Sequence, residues 1–362
     1  MKIFLYLMAG GELKKEILNE FSPGPKRGPE GMAYNNEQQE KTVMKSRLIC
    51  ASHSPLLYCY KKEPQQMEEL QIAIESQSDA IKKYDPELVI AFGSDHFNGF
   101  FLKMMPSFCV GFKADAVNDI GGFPGPLDVP EEVAKNLVTD LRHQNIDTSV
   151  SYKMTVDHAF SQTIHLMLKG ISTRPVIPIF INCITPPYVP FIRTRKLGEA
   201  VGRFSEKLGK RVLFLASGGM SHHPARYYPA LEDADESIKA WLISGGDDPN
   251  SPTKDQWLKR LYDMHHEGAE MIARGERTAA QMHLNPDSDH RFLDILKENR
   301  LEDYDTWDQN KLIADGGIGS MELHTWIAAA AAHRQRGGNS PKISFYDVMP
   351  EIGIGAGIVF SD

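Results

Sequence analysis

The stretch Arg47-Leu48-Ile49-Cys50-Ala51-Ser52-His53-Ser54-Pro55 runs from a continuous apolar segment into a histidine at a turn. The pattern returns where the apolar residues 88–92 are followed by Asp95 and His96, and residues 68–84 between them have helical periodicity. A strand, a helix and a second strand in this order predict a βαβ unit. If the two strands are parallel neighbours, their ends lie about 5 Å apart. His53 and His96 could then both bind one metal ion, at bond lengths of roughly 2.0–2.2 Å.

The alternation of strands and helices continues along the chain and predicts an α/β fold. Further strands are expected at residues 174–182 and 211–216, because continuous runs rich in valine, isoleucine and phenylalanine are typical of strands covered on both faces. Helices are expected at residues 68–84, 130–143, 191–208, 230–242, 253–273 and 320–333, the last of them capped by Ser320. We therefore expect a single domain in which a mostly parallel or mixed twisted sheet is flanked by helices on both faces.

The composition excludes several classes of protein. The chain has 362 residues, 41% of them hydrophobic, with a net charge of −8 and a pI near 5.9. This acidic balance, without a basic stripe, argues against a nucleic-acid surface and against an anionic membrane surface. No apolar stretch reaches the roughly 18 residues that a transmembrane helix needs. A small-molecule partner is therefore expected.

The cysteines and the first residues indicate where the protein resides. The four cysteines lack a CxxC spacing, and three of them lie in or beside apolar runs, where reduced core thiols are common. The apolar segment at residues 3–8 is short and lacks a persuasive small-residue cleavage site, so an export signal is the less favoured interpretation. Together these features predict a cytoplasmic protein.

Residues 1–43 are interpreted as a flexible N-terminal extension or a start-site artefact. Prolines and glycines concentrate at residues 23–31, and the polar run at residues 35–41 offers no face that could be buried. A second start-like pair, Met44-Lys45, directly precedes the first strand. The folded domain is thus expected to cover residues 44–362, and a chain that begins at Met44 is expected to fold.

Two further histidine islands and an acidic turn complete the set of candidate site residues. The islands are Asp157-His158-Ala159-Phe160 and Gly218-Gly219-Met220-Ser221-His222-His223-Pro224, and the acidic turn is Met321-Glu322-Leu323. In open α/β sheets ligands bind beyond the carboxyl ends of strands, where His53, His96 and His222 are all expected. Each also has a plainer interpretation, as a turn residue, a loop hydrogen-bonding group or a helix start. Of the adjacent pair, His222 is favoured to point into the site.

The remaining histidines are weaker candidates. Six lie on amphipathic or polar segments and are expected to be solvated or structural: His143, His265, His266, His283, His290 and His333. His165 and His324 are intermediate between the two groups.

Glu322 has both a structural and a functional interpretation. A carboxylate in the first turn of a helix is stabilised by the helix dipole, whatever its function. Two histidines and one carboxylate, with open positions opposite them, are also the facial arrangement of non-haem Fe(II) sites that activate oxygen. Two additional histidines, with ordinary pKa values of about 6.5, are suited to donate and accept protons at neutral pH.

Seven short motifs carry a resemblance to a known family. They are SHSP at 52–55, DHFNGFF at 95–101, VDHAF at 156–160, FIRTRKLGEAVGRF at 191–204, KRVLFLASGG at 210–219, GGMSHHP at 218–224 and ELHTW at 322–326. In combination they closely resemble the type III extradiol ring-cleavage dioxygenases, from about Leu48 to the C-terminus. The resemblance implies an Fe(II) enzyme of aromatic catabolism that inserts both atoms of O₂ into a substituted catechol. It also implies a homo-oligomer, by family resemblance a tetramer.

The family's functional residues carry over to individual positions of this chain. By resemblance, His53 and His96 are the imidazole ligands of the metal and Glu322 is its carboxylate ligand. His222 corresponds to the catalytic base and His158 to the partner acid, while Asp95 and Asp157 are candidates for orienting loops or imidazoles. The chain departs from the family's pattern at Met321, where relatives have a histidine directly before the ligand glutamate.

The substrate is less determined than the type of reaction. A propionate or acrylate substituent would need a cation, and the candidates in the motif-rich region are Arg193, Arg195, Arg203 and Arg226. One alternative is an extradiol enzyme for another aromatic compound, of the protocatechuate or aminophenol type. Another is a non-catalytic, Memo-like binding protein. The presence of the ligand set together with His222 argues against this last alternative.

Overall fold

The structure, a computed structural model, describes residues 46–362, and the predicted extension at residues 1–43 lies outside them. Its strands are β1 (Arg47–Ala51), β2 (Leu88–Gly93), β3 (Phe108–Gly111), β4 (Ala114–Ala116), β5 (Gly125–Pro126), β6 (Ser149–Ser151), β7 (Met154–Val156), β8 (Val176–Ile181), β9 (Val212–Ser217), β10 (Lys342–Met349) and β11 (Ile354–Ser361). Its α-helices are α1 (Met67–Tyr84), α2 (Glu131–His143), α3 (His158–Leu168), α4 (Phe191–Lys207), α5 (Glu236–Ser244), α6 (Lys254–Ala273), α7 (Pro286–Lys297), α8 (Gln309–Gly316) and α9 (Leu323–Gln335). The predicted α/β class is confirmed.

One mixed sheet organises the fold, with strand order β10-β11-β1-β9-β2-β8-β3-β6. Its central strands β1, β9, β2 and β8 are parallel, whereas β11 pairs antiparallel with β1 and β3 pairs antiparallel with β8. β1 and β2 are not the direct neighbours that the sequence analysis assumed, because β9 lies between them and pairs with both. All three strands run the same way, so their carboxyl ends still meet at one edge of the sheet.

A second sheet has three strands, in the spatial order β5-β4-β7. β4 and β7 are parallel, with Ala116 opposite Val156 at their carboxyl ends. The loop after β4 and the start of α3 therefore emerge side by side. These strands are only three residues long, too short to show a period in the sequence.

The main sheet is covered on both faces, as its apolar strands predict. Along β1, Leu48 and Cys50 belong to one core, which they share with α2, α4, α7 and α9. Ile49 and Ala51 belong to the opposite core, shared with α1, α3, α5 and α6. Alternate residues of a strand point to opposite faces, so a run without polar residues is the pattern of a strand buried on both sides.

Helices α4 and α9 approach each other closely on one face. A Cβ atom at Gly198 would lie 2.1 Å from the carbonyl oxygen of Ala328, and one at Gly202 would lie 2.6 Å from that of Ala332. Only glycine fits at these two positions, opposite the alanine run of α9. The contact fixes α9 against the sheet and thereby fixes Glu322, which directly precedes this helix.

Two predicted helices differ from those observed. Residues 230–242 divide into a 3₁₀ turn at Leu231–Asp233 and helix α5, because Asp235 caps α5 by accepting a hydrogen bond from the Ile238 N–H. Ser320 does not cap α9. It lies within the 3₁₀ helix Ile318–Glu322, and its hydroxyl donates to the carbonyl of Gly317 instead.

Two further observations concern the described residues as a whole. Within residues 46–362 no helix has the length and apolar character needed to cross a membrane. All four cysteines are buried and free, one more than the three for which the sequence analysis expected a core position: Cys50, Cys59, Cys109 and Cys183.

Candidate metal centre and active site

Three side chains converge where the parallel strands end. Oε1 of Glu322 lies 3.4 Å from Nε2 of His53 and 3.4 Å from Nε2 of His96. Two atoms bonded to one ion at roughly 2.1 Å, with an angle of roughly 90–110° between the bonds, are about 3.0–3.4 Å apart. The His53 and His96 rings are perpendicular, with an interplanar angle of 89°. Both distances from Glu322 Oε1 are therefore those expected between atoms that bind one ion.

The Glu322 carboxylate is oriented by two groups that the sequence analysis did not identify. The Ser94 hydroxyl donates to Oε1 at 2.6 Å, and the Gly219 N–H donates to Oε2 at 2.7 Å. Both come from segments that directly follow strands, β2 and β9. Glu322 occupies the N-cap position of α9 but makes no capping hydrogen bond with its side chain. The Glu322 carboxylate thus points toward the histidines and does not cap the helix.

The charges around His96 favour a cation at this point. Burial opposes its protonation, but the neighbouring Asp157 and Glu322 carboxylates raise the pKa of His96 well above its usual value. Burial would raise the pKa of Glu322, yet His53 and His96 lower it well below its usual range. A buried carboxylate pair that attracts positive charge can be satisfied by a proton or by a metal ion, so the residues fit a divalent cation.

His158 is near these groups, but its ring is placed differently. One nitrogen of each of His53, His96 and His158 lies within 4.8 Å of the others, so a three-histidine ligand set has to be considered. His158 and His96, however, are stacked with ring centroids 4.3 Å apart and an interplanar angle of 18°. Lone pairs lie in the ring plane, so stacked rings direct them side by side rather than toward one ion. The geometry therefore favours Glu322 over His158 as the third ligand.

Asp119 orients His158 and was missed by the sequence analysis. His158 is the first residue of α3, and its Nδ1 is hydrogen-bonded to Oδ2 of Asp119 at 2.5 Å. Asp119 follows β4, which pairs in parallel with the β7 strand that precedes His158. Burial and then the Asp157 charge raise the pKa of Asp119, while burial and then the His96 charge lower the pKa of His158. Because Nδ1 of His158 is bonded to Asp119, Nε2 is the nitrogen available for proton exchange.

Asp95 and Asp157 orient the loop that carries His96, in agreement with the sequence analysis. Asp95 accepts hydrogen bonds from the backbone N–H groups of Asn98, Gly99 and Phe100. Asp157 accepts from the backbone N–H of His96 at 2.7 Å and caps α3 through the Ala159 N–H. Carboxylates that collect backbone donors in this way stabilise one loop conformation.

His222 has one nitrogen occupied and one nitrogen available. Its Nδ1 lies 2.8 Å from the carbonyl oxygen of Met220, which can only accept, so Nδ1 carries the hydrogen. Nε2 is then the basic nitrogen, 3.9 Å from Oε2 of Glu322. Burial lowers the pKa of His222, which keeps the ring neutral near pH 7. Gly319 fits against the ring, since a Cβ there would be 2.2 Å from it.

A cavity of about 430 Å³ joins these histidines to a second group of side chains. The histidine cluster on its wall is His53, His96, His158 and His222. The second set, called the arginine group below, is His223, Tyr227, His265 and Arg277. Tyr228 stands between them, with its ring 4.9 Å from that of His96 and 6.2 Å from that of His265.

Comparison with known proteins identifies the family. A family model described as the catalytic LigB subunit of aromatic ring-opening dioxygenase matches residues 47–357. The chain belongs to this family. It is therefore a ring-cleavage dioxygenase, an oxidoreductase of aromatic catabolism, and the extradiol resemblance seen in its motifs is confirmed.

Curated relatives agree over most of the chain. Proteins of Escherichia coli K12 and of Escherichia coli O157:H7 strain EC4115 are each 38% identical to the dioxygenase over 308 residues, 85% of this chain and 96% of theirs. Both are named 2,3-dihydroxyphenylpropionate/2,3-dihydroxicinnamic acid 1,2-dioxygenase. A solved structure of an uncharacterized Escherichia coli K12 protein aligns with a TM-score of 0.47 and 11% identity, over 87% of this chain and 98% of that one.

The wall of the cavity contains residues that the sequence analysis did not select for binding. None of its four candidate arginines, Arg193, Arg195, Arg203 and Arg226, lines the cavity. His265 was expected to be solvated or structural; it is buried, and it also forms part of the wall. His265 is structural in the sense that its Nδ1 donates to the Leu261 carbonyl within α6. The position of α6 over the cavity could not be read from its amphipathic pattern.

Proposed function

We propose that the dioxygenase binds Fe(II) through His53, His96 and Glu322 and cleaves a catechol that carries a propionate or acrylate substituent. The observation that carries the metal assignment is the position of Glu322 Oε1, 3.4 Å from Nε2 of both histidines. When bound there, ferrous iron supplies the redox chemistry that allows O₂ to react with an aromatic ring. The substrate assignment is supported by the names of the two relatives described above.

Two protein groups move protons in this proposal. His222 accepts the proton of a catechol hydroxyl at Nε2, because Nδ1 is already committed to the Met220 carbonyl. His158 is the partner acid in this proposal and donates a proton from Nε2 to the reacting substrate. Asp119 stabilises the protonated form through Nδ1. Each positioned acid or base of this kind contributes roughly 10²–10⁴-fold to a rate.

Two other functions compete with this proposal. An enzyme for protocatechuate or an aminophenol would use the same metal ligands but a differently lined cavity. A Memo-like protein would bind without catalysis, and the buried Asp119–His158 pair disfavours it, since such a pair has an obvious use only if a proton moves. A cytoplasmic location, which the cysteines and the first residues predict, and a homotetramer, which the family resemblance implies, are also parts of the proposal. Sedimentation analysis would test the tetramer.

The deciding experiment is oxygen uptake by the metal-free protein after reconstitution with Fe(II), Zn(II) or no metal. The substrates are 2,3-dihydroxyphenylpropionate, 2,3-dihydroxycinnamate, protocatechuate, 2-aminophenol and catechol. We expect ring cleavage only with Fe(II), fastest with one of the first two compounds. Preference for protocatechuate or 2-aminophenol would replace the substrate assignment. Tight catechol binding without oxygen uptake under any metal would favour the non-catalytic alternative.

A further inference from the structure

We propose that Arg277 binds the carboxylate at the end of the substrate's side chain and so selects substrates with an anionic tail. This inference rests on the proposed function and deepens it by assigning the recognition of the tail to one residue. Arg277 lies just beyond the end of α6, in a segment where the sequence analysis singled out no residue.

The charge of the cavity wall points to this residue. Among the described residues that line the cavity, Arg277 is the only arginine or lysine, and none of them is an aspartate or a glutamate. The Arg277 guanidinium has no carboxylate partner within residues 46–362. It donates only to neutral oxygens, the Tyr227 hydroxyl at 2.5 Å and the His223 carbonyl at 3.4 Å. A half-buried guanidinium without a carboxylate partner, on a wall that has no aspartate or glutamate, favours an anionic ligand.

Of the four arginines named in the sequence analysis, three are bonded to side chains away from the cavity, and Arg193 does not line it. Arg195 is neutralised by Asp305, with nitrogen to oxygen distances of 2.9 and 2.5 Å, and by Glu199 at 2.5 Å. Arg226 is paired with Glu267, and the Arg203 Nε donates to Gln144 at 2.6 Å. Their guanidinium groups are occupied away from the cavity.

The position of Arg277 relative to the histidine cluster suits a two-ended ligand. Tyr227, whose hydroxyl accepts from Arg277, is stacked on His265 with ring centroids 3.7 Å apart. Next to His265 stands Tyr228, which contacts His96 of the cluster. A row of three rings thus separates the guanidinium from the proposed metal ligands. Both ends line the same cavity, so a substrate with its catechol at the histidine cluster can extend a side chain toward Arg277.

Arg277 is also held in place before any ligand binds. Its guanidinium lies 5.1 Å from the centre of the Tyr227 ring in addition to donating to the hydroxyl of that residue. Tyr227 is itself fixed, because Gly268 of α6 leaves room for its hydroxyl, which would be 2.2 Å from any Cβ at that position. A preorganised donor loses less conformational entropy when the ligand binds.

The test compares Arg277→Gln and Arg277→Lys with Arg274→Gln, a matched control three residues away. Arg274 is exposed and paired with Glu276, and it does not line the cavity. Ring cleavage is measured with 2,3-dihydroxyphenylpropionate and with 3-propylcatechol, which has a neutral tail of similar length. Binding is measured calorimetrically with 3-phenylpropionate, which lacks the catechol hydroxyls and so cannot undergo ring cleavage, and with 3-phenylpropanol.

Arg277→Gln should raise KM for the carboxylate substrate by about 10–100-fold and leave KM for 3-propylcatechol within about twofold. Affinity for 3-phenylpropionate should fall by a similar factor, while binding of 3-phenylpropanol should not change. Arg277→Lys keeps the charge but not the fork of donors, so its loss should be intermediate. Arg274→Gln should match the parent throughout.

Equal effects on the charged and neutral tails, or no effect on either, would overturn the assignment. If Arg277→Gln does not fold, Arg277→Lys decides the matter, since an unchanged KM for the carboxylate substrate would contradict the forked contact. The inference and the proposed function fail in different ways. A parent enzyme that cleaves 3-propylcatechol and 2,3-dihydroxyphenylpropionate equally well retains the function without the selectivity, whereas a parent that cleaves no catechol lacks the function itself.

Discussion

The histidine cluster and the arginine group line one cavity but are built differently. His53, His96 and His222 come from loops directly after β1, β2 and β9, three parallel strands of the same sheet. Tyr227, His265 and Arg277 instead come from a connecting loop, helix α6 and the segment after it. The first group is fixed by strand pairing and buried carboxylates, and the second by ring stacking and by a single charge without a partner carboxylate within residues 46–362. The proposed chemistry thus depends on loops at the edge of the sheet, whereas the proposed choice of substrate depends on helix α6 and the segments beside the cavity.

The largest expected effect comes from removing the charge of Glu322, the carboxylate beside the histidine cluster. Glu322→Gln should reduce Fe(II) affinity by at least about 100-fold, because an amide neither balances the metal charge nor binds as strongly as a carboxylate. Iron content and single-turnover ring cleavage measure the effect. Glu236→Gln, at a side chain that is 90% exposed, is the control. A variant with one full equivalent of iron and normal turnover would show that Glu322 is structural.

The next prediction separates metal ligands from proton-transfer residues within the histidine cluster. His53→Ala and His96→Ala should give folded protein with little bound iron. His158→Ala and His222→Ala should keep their iron and bind a catechol, but turn over at least about 10²-fold more slowly. Iron analysis beside single-turnover kinetics distinguishes the two outcomes. Loss of iron in His158→Ala would instead support the three-histidine ligand set.

A smaller effect is expected from the residue behind His158. Asp119→Asn should lower kcat by about 10–100-fold, because the protonated imidazole loses its carboxylate partner, with KM and iron content unchanged. Asp115→Asn is a matched control, since Asp115 is exposed on the same short strand β4. A rise in KM with kcat unchanged would mean that Asp119 shapes the cavity and does not act through His158.

The smallest expected effect is a loss of folding stability at acidic pH, and it concerns His265 of the arginine group. Burial lowers the pKa of His265 from about 6.5 to about 3. Between these values the unfolded chain binds more protons than the folded one, so the stability contributed by the neutral ring is present above pH 6.5 and is lost as the pH falls. The loss is at most about 1.4 kcal/mol per pH unit, or about 2 kcal/mol at pH 5. Urea unfolding of the parent and of His265→Gln between pH 7 and 5 measures it. An equal pH slope in both proteins would contradict the prediction.

For the histidine cluster, the sequence alone was informative because strands leave local patterns. Buried runs end at Ala51, Phe92 and Ser217, and the polar residues after them must lie at one edge if the strands are parallel. That argument did not depend on the true strand order, in which β9 separates β1 from β2. Glu322 was identified by family resemblance, while its orientation by Ser94 and Gly219 became visible only when β2, β9 and α9 were packed together.

The sequence by itself predicted the α/β class and the apolar strands, which the structure confirms, and it nominated the five residues of the proposed metal and proton-transfer set. Only the tertiary structure revealed the Asp119–His158 pair, the stack of Tyr227 on His265 and the unpaired charge of Arg277. The physical reason is that a residue's local pattern records which face it buries, but not which distant segment covers that face. Asp119 follows a strand too short to show a period, and Arg277 follows a helix whose amphipathic pattern is the same wherever it packs. Pairings of this kind depend on long-range contacts, and they decide what the cavity can select.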